Sequence, residues 1–173
     1  MTVVQEVAKY LRSSERFAIN FGTKAAADAV AVVENFSFAP QRFASRERPL
    51  SRFVLFAKPI LETLGLEVLM PTSPKRKTWA ADILRQLDGN AWTMIGMLAD
   101  LADDCQRFVS EIDERELSPM AFAEHLQSFM LSIHRDYEQG GMWRHRKNTY
   151  VSRIMARIYH STPRKYFFLR KAS

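Results

Sequence analysis

The residues best placed to do chemistry are basic, and they crowd the end of the chain. Residues 139–173 hold nine Lys and Arg and no Asp or Glu: Arg144, Arg146, Lys147, Arg153, Arg157, Arg164, Lys165, Arg170 and Lys171. Cations at this density neutralise phosphates and release the counterions condensed on a polyanion, an attraction that falls steeply with salt. Trp143, Tyr150, Tyr166, Phe167 and Phe168 lie among them, and these are the ring types that stack on exposed bases. DNA or RNA is therefore the expected partner of this segment. The simpler alternative is a solvated basic face, or one paired with acidic residues of the same chain or of a second copy, with the rings completing a core. Basic amphipathic helices also suit membranes and partner proteins.

A second set of candidates is acidic. Asp100, Asp103, Asp104 and Glu111 precede His125, His134 and Glu138, a mixture that could suggest a carboxylate-histidine metal centre. Metal sites in helical bundles need Glu-x-x-His pairs aimed inward, whereas these residues fall beside or opposite the apolar stripe, so no metal ligand is assigned. His134 and Glu138, one turn apart, read as a surface pair. Cys105 sits among Leu98, Ala102 and Val109 at helical spacing, where a thiol behaves as a small buried hydrophobe with a raised pKa rather than as a nucleophile. The six glycines form neither a P-loop nor a GxGxxG turn, and no GxSxG context surrounds a serine, so no catalytic residue and no cofactor is assigned.

The elements that must position these residues are helical. Residues 90–113 place Ala91, Ile95, Leu98, Ala102, Cys105, Val109 and Ile112 at alternating spacings of four and three, which predicts one long helix. Ser118-Pro119 is an N-cap followed by an N1 proline, and Ala123, Leu126, Met130, Ile133 and Tyr137 continue the pattern until Gly140-Gly141. Together they predict an antiparallel hairpin over about 90–138 whose apolar seam, widened by Met94, Leu101 and Phe108, needs other helices to cover it. A basic helix is expected from about Thr149 to His160, ending before Pro163.

Elsewhere the pattern predicts a helix over Val3–Leu11, a stop and N-cap at Gly22-Thr23, and an Ala-rich helix through Glu34. Residues 36–49 read as a loop held by aromatic anchors, with strand character left open in that stretch. Leu50 to Leu64 form one helix face, kinked or divided at Lys58 by Pro59 and capped by Gly65. Pro71, Ser73, Pro74 and Lys75-Arg76-Lys77 read as an exposed connection. The expected fold is all-α: one domain over 1–173, a helical bundle built around the long hairpin with a basic C-terminal helix at its edge.

With 47% hydrophobic residues over 173 positions, such a domain can bury a core without staples. One cysteine excludes an internal disulfide and fits a reducing, cytoplasmic setting. The N-terminal residues lack the pattern of a signal or transit peptide, and no stretch reaches the length of a membrane span. Charge is strongly segregated: residues 78–138 hold 4 Lys and Arg against 12 Asp and Glu, a net of −8, directly before the +9 segment.

Two functional classes lead. One is a small non-enzymatic accessory or regulatory protein contacting DNA or RNA through Arg144 to Lys171. The other is a protein-binding module or inhibitor that uses the acidic hairpin and basic tail to occupy an acidic or nucleic-acid-handling protein. A homo-oligomer fits either. A helical-bundle enzyme would need a site assembled only in three dimensions.

Overall fold

The computed structural model describes residues 3–27, 44–113, 118–141 and 149–156, and every regular element among them is helical. Helix α1 (Val3–Ser13) meets α2 (Glu15–Ala27) at Ser14, whose hydroxyl accepts the Phe17 amide at 3.4 Å and so starts the second helix. Gly22-Thr23 does not divide α2. The Thr23 hydroxyl donates to the Ile19 carbonyl at 3.0 Å, one turn back, and is satisfied inside the helix rather than acting as a cap. Residues 28–43, which include the rest of the expected Ala-rich helix, lie outside the described residues.

Four further expectations change between residues 44 and 86. Helix α3 (Ala44–Leu55) takes in the end of the expected loop. The break before α4 (Ala57–Leu69) falls at Phe56, not Lys58, which leaves Pro59 in the first turn, where a missing N–H costs no helical hydrogen bond. Gly65 is interior to α4, and the helix runs on to Leu69, with Val68 still packed against the core. Lys75, Arg76 and Lys77 are helical rather than part of a connection. The Ser73 hydroxyl accepts the Arg76 amide at 3.3 Å and Pro74 takes the first position of α5 (Pro74–Gln86). Cations in a first turn oppose the helix dipole, so their charge masked a sound Ser-Pro start signal.

Helix α6 (Gly89–Asp113) is the long helix expected, and α7 (Pro119–Ile133) starts as expected, with the Ser118 hydroxyl accepting the Ala121 amide at 3.3 Å. A π-helical turn (His134–Glu138) extends α7, and Gly140, at φ 72°, ends it in a left-handed conformation that costs glycine little. Helix α8 (Tyr150–Ile154) opens the C-terminal helix at the expected start, with Thr149 as its N-cap, and residues beyond 156 lie outside the described set.

The core is assembled from α1 to α5, the first half of α6, and α8. Phe17, Phe53, Phe56, Ile60, Leu64, Ile83, Trp92 and Ile154 are its largest closed apolar side chains. The Phe53 ring stacks on Trp92 at 5.3 Å, and Phe21 meets Phe56 edge to face at 5.4 Å. Helix α3 packs on α6, α4 on α5, and α8 lies against both α3 and α6.

This arrangement decides which face of α6 is buried. Trp92, Ile95, Gly96, Ala99, Asp100 and Ala102 are enclosed, whereas Leu98 and Val109 of the expected seam are 47% and 46% exposed. Helices α3 and α8 approach on the Gly96 side, so the covered face shares Ile95 and Ala102 with the stripe that periodicity picked out but is rotated away from Leu98 and Val109.

A glycine comparison tests that packing. A methyl group at Gly96 would lie 3.0 Å from both Cα and Cγ2 of Val151, while one at Gly65 meets nothing within 4 Å. Gly65→Ala is expected to stabilise the protein by about 0.5–1 kcal/mol through helix propensity and unfolded-chain entropy. Gly96→Ala should destabilise it by about 1–3 kcal/mol, because α8 must be pushed off α6. Thermal denaturation of the two variants reads the signs, and a gain at Gly96 would contradict the close approach.

Candidate functional site

Among the described residues, the feature not explained by folding is the second half of α6 together with α7. The two helices run antiparallel: the Tyr137 hydroxyl donates to Asp104 at 2.8 Å, and one turn further along α6 the Phe108 ring stacks on Phe129 at 4.3 Å. Between them is an open cleft of about 430 Å³, lined by Asp104, Arg107, Glu111, His125 and the two rings among others. Arg107 bridges Asp103 and Asp104 at 2.8 and 3.1 Å, so those carboxylates are engaged.

No residue of α7 is buried. Met120, Met130 and Leu131 are 75%, 60% and 62% exposed, and Phe122 and Leu126 stand open beside them. The seam that periodicity expected to be covered by other helices is thus covered at Ile95 and Ala102 but open at Leu98, Val109, Leu126 and Met130 among the described residues. Scattered exposed apolar side chains are ordinary, whereas a run along one helix is an arrangement that folding of the described residues does not account for.

The other acidic candidates separate into structural roles. Asp100 is buried, and its two oxygens accept the Tyr150 and Val151 amides at 2.8 and 3.1 Å. His134 and Glu138 pair at 2.7 Å on the surface, as their spacing predicted. No three His, Cys, Asp or Glu side chains converge as a metal site among the described residues. Cys105 is partly rather than fully buried, and its thiol pKa is raised above the usual value, first by burial and then by the Asp104 carboxylate. That shift reduces the thiolate available for nucleophilic chemistry.

Of the nine basic candidates only Arg153 falls among the described residues. It is exposed on α8, its guanidinium 5.8 Å from the centre of the Tyr150 ring, while Val151 and Ile154 anchor the helix to the core. Arg144, Arg146, Lys147, Arg157, Arg164, Lys165, Arg170 and Lys171 lie outside the described residues, as does Trp143.

Three features had little or no sequence signal. Tyr10 and Trp79, 69 positions apart, stack at 3.9 Å and join α1 to α5. Glu67 is 1% exposed and neither carboxyl oxygen has a hydrogen-bond partner among the described residues. Leu69 and Met70 protrude at the end of α4. A hydropathy pattern places such residues on a helix but not at its solvent-facing tip. No protein-family model, curated protein or solved structure matches the chain. No helix among the described residues is long and apolar enough to cross a membrane.

Proposed function

We propose that this chain is a non-enzymatic accessory protein that binds a partner's amphipathic helix with basic flanks on the apolar face of α7. The observation that carries the reading is the open row on α7, a helix rich in Met, Leu and Phe that has no buried residue. Phe122, Leu126 and Met130 recur every fourth residue, which makes a ridge that fits against another helix. Methionine adapts to differing partner side chains and suits such a surface. Charge selects the occupant: the face belongs to a segment with 12 acids and 4 bases. Two copies of it would set acid against acid, whereas Lys or Arg flanks complement it.

The test is fluorescence anisotropy with two designed helices that share a Leu face, one flanked by Lys and the other by Glu. The Lys helix is expected to bind, the Glu helix more weakly, and Met130→Asp/Leu131→Asp to lower affinity by about 30-fold or more. Equal binding of both helices would remove the charge argument. A dimer in sedimentation equilibrium that the same double variant dissolves would give the face to a second copy instead.

A second reading keeps a polyanion as partner, supported by Arg153 standing exposed on a helix whose opposite side is fixed to the core. It expects oligonucleotide binding that weakens steeply with salt and is lost in Arg153→Glu/Arg157→Glu. Binding unchanged by those reversals would exclude that segment as the contact.

A further inference from the structure

We propose a separate interaction surface at the tip where α4 turns into α5, and that this tip docks on the headgroup region of an anionic lipid bilayer. Leu69 and Met70 are 73% and 65% exposed, and Ile19, one turn along α2 from Arg16, is 60% exposed. Folding has left these aliphatic side chains in water although the other large apolar residues of α4 and α5 are buried or half-buried. Cations surround them. Arg16 donates to the Met70 carbonyl at 2.9 Å, and Arg76 donates to the Thr72 hydroxyl at 2.9 Å, so two guanidinium groups brace the connection. Lys75 and Lys77 flank Arg76 and are exposed. Pro71, Pro74 and the Ser73 cap hold the short turn in shape, so the apolar residues are displayed at little cost in chain entropy.

A bilayer interface meets both demands at once, since it places anionic phosphates directly above an apolar phase. Nucleic acid meets only the first. It offers phosphates but no phase for Leu69, Met70 and Ile19, and the nearby rings that could stack on bases, Tyr10 and Trp79, are stacked on each other. The tip also differs in sign from the α6–α7 segment, which an anionic surface would repel, so lipid docking and helix binding use different parts of the molecule.

The experiment is co-sedimentation of the full chain with phosphatidylcholine vesicles and with vesicles that also contain phosphatidylserine. Lys75→Glu/Lys77→Glu and Leu69→Ser/Met70→Ser are run alongside, with circular dichroism confirming that each variant is folded. Binding is expected only to the phosphatidylserine vesicles, weakened at least about 30-fold by the charge reversal and about tenfold or more by the serine pair. Absence of binding at low salt would overturn the proposal. So would binding that survives both variants, which would assign it to another basic segment. Loss in the charge variant alone, with displacement by a soluble oligonucleotide, would show a phosphate-reading surface rather than a lipid-docking one.

Discussion

Asp100→Ala is expected to lower stability by about 3 kcal/mol, and so the melting temperature by roughly 6–12 °C for a chain of this size. The size follows from the amides at the start of α8. Thr149 supplies two acceptors: its side-chain oxygen takes the Ser152 amide at 3.1 Å and its carbonyl takes the Arg153 amide at 3.0 Å. The Tyr150 and Val151 amides are left to Asp100, at 2.8 and 3.1 Å. The three amides of the first turn, Tyr150, Val151 and Ser152, are thereby satisfied, two of them by a charged acceptor from another helix. Alanine would strand both beside a buried Val151. Asp100→Asn keeps the shape and one acceptor oxygen, so about half the loss is expected. Hydrogen exchange at Tyr150 and Val151 should quicken in step with the melting change. Unchanged exchange in Asp100→Ala would mean that α8 is not held by this carboxylate.

The same residue shows how far the sequence could be read. An aspartate on a mostly apolar helix, near other acids, suggested a metal ligand or a solvated charge, because a carboxylate's partner 50 positions away leaves no trace in local spacing. Gly96, one turn before it, carried part of the answer, since a residue without Cβ lets another backbone approach. Local signals were legible where their chemistry was local: Ser118-Pro119, Thr149, and Gly140 all act where spacing placed them. Signals that depend on what packs opposite were not. The 90–113 stripe was correctly helical, yet the face that became buried was chosen by α3 and α8. The Leu69–Met70 tip was hidden for a related reason, because Gly65 and Pro71 suggested an earlier end to α4. The basic candidates were easy to find by composition, and of these only Arg153 has a described position.

Replacing Glu67 by Met is expected to stabilise the protein by about 1–3 kcal/mol, raising the melting temperature by roughly 2–4 °C for each kcal/mol gained. Glu67 lies on the buried side of α4, 1% exposed, and neither of its oxygens has a hydrogen-bond partner among the described residues. The nearest hydroxyl along the helix, Thr63, is committed elsewhere: it donates to the Pro59 carbonyl at 2.7 Å, one turn back. A carboxyl group removed from water without compensation opposes folding, while methionine has similar length and bulk with no group to desolvate. Glu67→Gln separates the causes. It removes the ionisable group but keeps two polar atoms in the same enclosure, so it should gain less than Met. A loss of stability in Glu67→Met would show that the carboxyl makes a compensating contact in solution. Binding of the Lys-flanked helix and of vesicles should be measured on the same variant. A more stable protein that still binds both would mark Glu67 as a tolerated burden, and one that has lost either would show that the buried carboxyl serves that surface, with stability given up for it.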